Sequence, residues 1–253
     1  MSYFQPASER EINPALRVAA WGLKAAGKTT FAVGNGDRVA HWPLPIYYFN
    51  YDMSIDELLS KIDPEVRKQI YIVDLVANQM PVTDAYADQL LKKAEAAAKE
   101  AVAAIQESGQ GTIVFDTMTA HWVYIQQVEL AGAKTNKDGK PYQYEYAAAN
   151  RRFASLVTWL SGIPGLNLLL LHHAKPVYDE KGMATGFYEA IDNPHTEKLM
   201  PYVLQVWSGK GDDGAPTHGV TLNYVRTDKT MEGLSLPDID YVALKALLQG
   251  EGD

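Results

Sequence analysis

Short apolar segments alternate along the chain with longer segments in which apolar residues recur at helical spacing. This alternation is typical of an α/β fold built on a mostly parallel, twisted sheet that helices flank. Strands are predicted over residues 17–21, 46–51, 70–75, 112–115, 167–171, 202–207 and 219–226. Because the last two strands follow each other closely, we expect them to extend the sheet in antiparallel fashion.

The helical segments leave two long stretches without a periodic pattern. Helices are predicted over residues 28–33, 55–59, 84–108, 119–131 and 144–160, with a short amphipathic helix over 239–248. The stretches 132–143 and 174–194 are predicted to be loops, and loops of this length in a compact domain are usually functional or disordered. We therefore expect a tail over residues 1–14, one α/β domain over 15–236, and a C-terminal helix and tail over 237–253.

Composition narrows the class of protein. Of the 253 residues, 47% are hydrophobic and 21% are charged, which is the balance of a folded protein rather than a disordered one. The absence of cysteine excludes disulfides, thiolate zinc sites and cysteine nucleophiles. The polar N-terminus lacks the apolar region of a signal peptide, and the longest apolar run, residues 166–171, is far shorter than the roughly 20 residues of a membrane span. We expect a soluble, cytoplasmic protein without membrane contact.

The most specific motif spans residues 22–29, which match the phosphate-binding pattern G-x-x-x-x-G-K-[ST] at every fixed position. A predicted strand precedes the motif and a predicted helix follows it. In such a loop, backbone N–H groups converge on phosphate oxygens, the lysine reaches the β- and γ-phosphates, and the threonine hydroxyl binds Mg²⁺. The predicted nucleotide contacts are Gly22, Leu23, Lys24, Ala25, Ala26, Gly27, Lys28, Thr29 and Thr30. For Lys24, a solvent-facing side chain is the alternative.

Acidic residues end three of the other predicted strands. Asp116 follows the apolar segment 112–115 in the form of a Walker B strand, and it would hold Mg²⁺ with Thr29, mainly through water. Asp52 is the proposed catalytic carboxylate, because ligands of α/β sheets bind at the carboxyl ends of the strands. For both residues, a helix cap is the alternative role. For Asp52, a simple turn residue is a further alternative, and Asp74 is the rival candidate for the catalytic carboxylate.

Two adjacent histidines end the fifth predicted strand. His172 and His173 must point to opposite faces of that strand, so at most one of them can face the nucleotide. We favour His173, as a residue that senses the γ-phosphate and passes that state to the following loop.

Together these segments resemble the RecA-like P-loop ATPases, in particular the small phage-encoded nucleotide-binding proteins of the RecA-like single-strand annealing group. The resemblance covers roughly residues 15–230 and rests on the P-loop and on segments 50–52, 113–116, 168–175 and 225–229. It implies a RecA-like P-loop core over 15–236 with ATP and Mg²⁺ as ligands. The catalytic residues that it implies are Lys28, Asp52, His173, Arg226 and Lys229.

The resemblance also assigns roles to these residues. It implies that Asp52, an Asp where many relatives have Glu, activates water, and that His173 couples the γ-phosphate to a DNA-binding loop. Arg226 and Lys229 stand where the family has basic residues that reach the ATP of the neighbouring subunit, and a cation supplied in this way stabilises charge in the transition state. Strand-end charge exposed to solvent is the alternative for both.

Two DNA-binding loops follow from the same resemblance. The first, residues 132–143, carries Lys134, Lys137 and Lys140 next to Tyr142, and cations interleaved with aromatic residues suit single-stranded nucleic acid. The second carries Lys175, but its carboxylates outnumber its lysines. An ordinary polar loop is the alternative for the first. Because the net charge is −8, any contact with DNA has to be local.

Near the N-terminus, residues 4–9 resemble the F-x-x-A-[ST]-E tether by which recombinases of archaea and eukaryotes join neighbouring subunits. Phe4 would fill an apolar pocket of the adjacent subunit, and Ala7 a smaller one. A frayed tail is the alternative.

Two functions of different classes are compatible with these features. The first is a slow, DNA-stimulated, Mg²⁺-dependent ATPase. It binds single-stranded DNA as a homo-oligomer and assists recombination or strand annealing. A single-strand binding protein is a further candidate partner. The second is a nucleotide-switched binding module with little turnover that recruits a replication or phage partner, which the acidic composition favours. If a phage encodes the chain, the compartment is the host cytoplasm.

Overall fold

The computed structural model describes residues 15–35, 40–179, 182–191, 193, 195–210, 214 and 216–250. The predicted tail over residues 1–14, with Phe4 and Ala7 of the tether, lies outside the described residues. Among the residues described, no helix combines the length and the apolarity needed to cross a membrane.

The described residues contain nine strands and eight α-helices. The strands are β1 Arg17–Gly22, β2 Ile46–Asn50, β3 Ile70–Asp74, β4 Gly111–Asp116, β5 Leu166–Tyr178, β6 Ala184–Ile191, β7 Tyr202–Lys210, β8 Pro216–Val225 and β9 Ser235–Pro237. The α-helices are α1 Lys28–Val33, α2 Asp56–Leu59, α3 Pro64–Arg67, α4 Asp84–Ser108, α5 Met118–Glu129, α6 Ala147–Ser161, α7 Thr196–Leu199 and α8 Tyr241–Gln249. Short 3₁₀ helices span Gln143–Tyr146 and Lys229–Met231.

The strands form one sheet in the order β3-β2-β4-β5-β1-β7-β8-β9, with β6 paired to β5. The strands from β3 to β7 in this order run parallel, while β8 and β9 extend the sheet in antiparallel fashion. The predicted fold class, a mostly parallel sheet flanked by helices with a late antiparallel extension, is therefore confirmed. One detail was wrong: β7 itself is parallel to β1, and the antiparallel extension starts at β8.

The central strands are buried on both faces, so two cores lie on opposite sides of the sheet. Ala19 of β1 and Leu170 of β5 belong to the core that α4, α5 and α6 cover. Ala20 and Leu171, the next residues along the same strands, belong to the core that α1 and α8 cover. Strands of this kind appear in the sequence as continuous apolar runs rather than alternating ones.

The long helix α4 has the predicted bounds, and a capping residue marks each end. The side chain of Thr83 accepts a hydrogen bond from the Tyr86 N–H at the N-terminus, and Gly109 takes the left-handed conformation, φ +82°, at the C-terminus. The C-terminal helix α8, predicted over 239–248, begins after Asp240, whose side chain accepts from the Ala243 N–H.

The stretch 174–194, predicted to be a loop, is instead largely a β-hairpin. Strand β5 continues past the sheet to Tyr178, and β6 returns antiparallel to it, with His173 opposite Ile191 and Lys175 opposite Glu189. Nearly every residue of β6 is exposed, so the segment lacks the apolar-polar alternation by which a half-buried strand is recognised.

The other predicted loop, 132–143, forms a small turn closed by a bridge between Thr135 and Pro141. The helix predicted to start at residue 144 begins instead as a 3₁₀ turn and becomes α-helical at Ala147. Short elements such as α3, α7 and β9 were not predicted, because three or four residues do not show a period.

Candidate active site

The P-loop follows β1 and leads into α1, and its glycines meet two steric requirements. Gly27 has φ +91°, a conformation that costs a side-chain-bearing residue energy. A Cβ on Gly22 would lie 2.5 Å from the Val206 carbonyl oxygen of β7. Ser208 Oγ of the same strand donates to the Ala25 carbonyl at 3.5 Å, so β7 supports the loop from outside.

Lys28 lies at the centre of this loop. Its Nζ donates to the carbonyl oxygens of Gly22 at 3.0 Å and Leu23 at 2.9 Å. Burial lowers the pKa of the Lys28 ammonium, while the carboxylates of Asp116 and Asp52 partly offset that effect. The Leu23 side chain, a predicted nucleotide contact, is 45% exposed, and it is the Leu23 carbonyl that takes part in the site.

Asp116 ends β4 in a buried position beside Thr29. Its Oδ2 accepts hydrogen bonds from Thr29 Oγ1 at 2.7 Å, from Ser54 Oγ at 2.9 Å and from the Tyr48 hydroxyl. Burial raises the pKa of Asp116, and Asp52 adds to this, whereas the three hydroxyl donors lower it. The helix that follows is capped by Thr117, so the alternative interpretation of Asp116 as a cap is wrong.

The oxygen atoms at this point fit Mg²⁺. Mg²⁺ prefers one or two carboxylate or hydroxyl oxygens together with water and substrate phosphates, at distances that require the ligands to lie close together. Thr29 Oγ1 and Asp116 Oδ2 are already 2.7 Å apart and lie next to the P-loop. These two residues would hold the ion, which would neutralise phosphate charge when bound.

An open cleft of ≈ 550 Å³ extends from the P-loop. This volume lies in the range of small-molecule binding sites, about 300–1,000 Å³. Besides residues 24–30, the cleft is lined by Asp52, Ser54, Asp116, His173 and His218. The structure therefore brings together the P-loop, both predicted carboxylates and the favoured histidine.

Asp52 and Asp74 lie in different places: Asp52 lines the cleft, and Asp74 ends the neighbouring strand β3. The Asp52 Oδ1 accepts from the Ser54 N–H at 3.0 Å in an exposed turn, whereas Asp74, one strand further out, accepts from Asn50 Nδ2 at 2.7 Å. Ile55 occupies the N-cap position of α2, so the interpretation of Asp52 as a helix cap is wrong. Asp52 remains the proposed catalytic carboxylate.

The two histidines of β5 point to opposite faces, as predicted. His173 lines the cleft, and its pKa is lowered, first by burial and then by the charge of Lys28. His172 is buried, and desolvation lowers its pKa to about 3. The sensing role of His173 remains a proposal.

Most of the chain matches a known protein family. The model of the family described as AAA domain matches residues 15–207, which is most of the chain. The chain belongs to the AAA domain family. A search of curated protein sequences finds no match.

Solved structures show which fold this AAA domain has. The chain is similar to a prototypical ATPase from the type III secretion system of pathogenic bacteria, with a TM-score of 0.50 and 14% identity over 79% of this chain. It spans about half of that ATPase, 53% of its length. A KaiC-like protein from Pyrococcus horikoshii OT3 gives a TM-score of 0.44 and 12% identity, with 88% of this chain and 84% of that one covered. The fold is that of the RecA-like P-loop ATPases.

Three residues of the AAA domain's site were missed by sequence reasoning. Tyr48 belongs to the apolar run of β2, and Ser54 lies in the turn after it, yet both bind Asp116. His218 comes from β8, far along the chain from the P-loop that it contacts. Of the three, Tyr48 is the one that gave a signal in the sequence, because its hydroxyl is a polar group near the end of a predicted strand.

Arg226 and Lys229 do not meet the P-loop of their own AAA domain. They follow the end of β8, which pairs with the start of β7. Because β7 runs parallel to β1, this places them at the ends of the strands opposite to the P-loop. Arg226 Nη2 donates to the Lys198 carbonyl at 2.7 Å, and Lys229 Nζ is 2.7 Å from Glu232 Oε1 and lies over the Tyr224 ring. Their role toward a neighbouring subunit stays a prediction.

The predicted DNA-binding residues are located in two separate segments. Lys134, Lys137 and Lys140 are exposed in the turn after α5, and the rings of Tyr142 and Tyr144 stack with centroids 5.5 Å apart. Lys175 is on the β5–β6 hairpin, where it forms an ion pair with Glu189 at 3.0 Å, so its charge is compensated within the chain.

A buried contact links Tyr51, which directly follows β2, with α5. Tyr51 Oη and His121 Nδ1 share a hydrogen bond of 2.5 Å, and the Tyr51 N–H donates to the Asp116 carbonyl at 2.7 Å. Desolvation, with a smaller effect from the Arg152 charge, lowers the pKa of His121 to about 3. This contact holds the ends of β2 and β4 in register beside the cleft.

Stability is expected to decrease on acidification because of His121 and His172. Both have a folded-state pKa of about 3, whereas an unfolded imidazole titrates near 6.5. The unfolded state therefore binds protons first, and stability that is complete above about pH 6.5 falls by about 2 kcal/mol per histidine at pH 5. Urea unfolding at pH 7.5 and pH 5 measures this loss. His121→Gln should show a smaller loss than the wild type, and His41→Gln an unchanged one; equal losses in all three would contradict the assignment.

Proposed function

We propose that the chain is a Mg²⁺-dependent ATPase that binds single-stranded DNA as an oligomer and assists recombination or strand annealing. The observation that carries the catalytic part is the convergence of Lys28, the Thr29–Asp116 pair and Asp52 on one cleft. Membership of the AAA domain family supports nucleotide binding at this cleft.

In the proposed reaction, water attacks the γ-phosphate and the bond to the β-phosphate breaks. Lys28 and the loop amides bind the β- and γ-phosphates, and their charge stabilises the negative charge that develops on the leaving oxygen. Asp52, exposed at the cleft, accepts the proton of the attacking water. His173, on β5, lines the same cleft and would contact the γ-phosphate.

The turn after α5 supports the nucleic-acid part of the proposal. Three lysines and one aspartate lie between residues 134 and 141, and two exposed tyrosine rings stack beside them. Exposed aromatic rings offer bases a surface for stacking, and nearby lysines attract phosphates. The hairpin contributes less positive charge, because Lys175 is paired with Glu189.

Replacing Lys134, Lys137 and Lys140 together with alanine is expected to weaken binding of a single-stranded oligonucleotide and to flatten its dependence on salt. Each lost phosphate contact lowers the slope of log K against log salt by about 0.7, so the triple variant should lose about 2 units. Fluorescence anisotropy at several salt concentrations measures both quantities. A matched control removes the same charge from α4 at Lys92, Lys93 and Lys99; a loss of equal size there would assign the effect to net charge.

A nucleotide-switched binding module is the second candidate, and the net charge of −8 favours it. Steady-state hydrolysis of ATP with Mg²⁺, in the presence and absence of single-stranded DNA, separates the two. Stimulation by DNA supports the ATPase. Tight ATP binding with negligible turnover under both conditions supports the module. Light scattering with ATP, Mg²⁺ and oligonucleotide, added singly and together, tests whether assembly needs all three.

A further inference from the structure

We propose that His218 of β8 is a second nucleotide-binding element outside the P-loop motif, and that it contacts the nucleoside half of the bound nucleotide. By nucleoside half we mean the sugar, the base and the α-phosphate. This inference rests on the proposed function, because it concerns the same cleft.

The ring of His218 lies directly against the P-loop. A Cβ built on Gly27 would be 2.9 Å from His218 Nδ1 and 3.6 Å from both Cε1 and Cγ. The same ring lines the nucleotide cleft and also a small recess bounded by Thr30, Phe31, Asp238 and Ile239. The imidazole therefore forms a wall of the cleft at the point where the P-loop enters α1.

One nitrogen of this imidazole lacks a partner. Within the described part of the chain, His218 Nδ1 is buried and has no hydrogen bond, although the backbone N–H and carbonyl of His218 both bond to Asp238. Because this nitrogen faces Gly27 and is covered by it, a ligand in the cleft would meet the rest of the ring, which includes Nε2.

The strand order determines which end of the nucleotide His218 can reach. Asp52 follows β2, Asp116 ends β4 and His173 lies in β5. These three strands are on one side of β1, whereas β8, which carries His218, is on the other side. A triphosphate whose γ end lies beside Asp116 and Lys28 has its opposite end toward β7 and β8. His218 is therefore placed for the nucleoside half and away from the γ-phosphate.

This placement gives a distinctive binding pattern. Because the contact does not involve the γ-phosphate, His218→Ala should raise the Kd of ATP and of ADP by the same factor, about tenfold for loss of one hydrogen bond to a charged or polar ligand. Isothermal titration calorimetry with ATP, ADP and inorganic tripolyphosphate measures it. His218→Gln, which keeps a polar atom near the position of Nε2, should recover part of the affinity. His41→Ala is the matched control, since the His41 ring bonds to the Trp42 carbonyl.

Each outcome bears on the inference. A loss that extends to tripolyphosphate supports a contact at the α-phosphate, and a loss limited to ATP and ADP supports a contact at the sugar or base. A loss for ATP alone, or no loss for any ligand, overturns the inference, as does failure of His218→Gln to bind better than a folded His218→Ala. If the wild-type chain binds ATP and Lys28→Ala does not, an unchanged His218→Ala overturns this inference alone. If the wild type binds no nucleotide, the proposed function fails as well.

Discussion

Replacing Lys28 with alanine is expected to abolish nucleotide binding while leaving the fold intact. The ammonium is buried within the P-loop and is the cation that the β- and γ-phosphates would meet. Removing one member of a buried charge pair costs about 2–5 kcal/mol, so the Kd of ATP should rise on the order of 100-fold or more. Titration with a fluorescent ATP analogue measures the affinity, and circular dichroism with thermal unfolding measures the fold.

Stability should survive this change for a physical reason. Burial lowers the pKa of Lys28, which means that the protein holds this charge at a desolvation cost when phosphate is not present. Lys24→Ala is the matched control, because Lys24 is an exposed lysine of the same loop. A small effect there would favour its solvent-facing interpretation. Tight ATP binding by Lys28→Ala would remove the P-loop from the proposed site.

Replacing Asp52 with asparagine is expected to lower the rate of ATP hydrolysis by a factor of about 10²–10⁴, the usual contribution of a general base. Asparagine keeps the oxygen that accepts from the Ser54 N–H but cannot take a proton from water. The Kd of ATP should change little, because the phosphates are bound by the P-loop. Steady-state kcat and equilibrium binding, measured on the same preparation, separate these two effects.

Asp74→Asn is the control for this variant, since Asp74 is the rival carboxylate and accepts from Asn50 at the end of β3. Its hydrolysis rate should stay within a few fold of the wild type. A large loss in Asp74→Asn with a normal rate in Asp52→Asn would transfer the catalytic role to Asp74. Unchanged rates in both would leave the activation of water to another group.

The features that the sequence predicted correctly are those whose signal is local. The P-loop has fixed spacing, and the carboxyl ends of parallel strands meet at one edge of the sheet, so Asp52, Asp116 and His173 could be assigned to one cleft from the sequence. Helix α4 could be recognised because its 25 residues are rich in alanine, lysine and glutamate, which have high helix propensity, and because Ser108-Gly109 marks its end.

The features that were missed depend on packing between distant segments. Ser54 and Tyr48 belong to the site because β2 lies beside β4, and His218 because β8 lies two strands from β1. The β5–β6 hairpin was predicted to be a loop because neither of its faces is buried, so its residues carry no hydrophobic pattern. Arg226 and Lys229 were assigned by family position alone, and the carbonyls and carboxylate that bind them could not be read from the sequence.

The continuity of β5 limits where the chain can change length. Residues Leu166–Leu171 of β5 pair with β4. On its other side, β5 pairs with β1 up to His173, and the pairing with β6 begins at the same residue. One residue inserted between Leu171 and His173 would exchange the two faces of everything beyond it, sending the His173 side chain away from the cleft. Insertions beyond Tyr178 leave that register untouched. Evolution or an engineer can therefore lengthen the tip of the hairpin freely, but not its root.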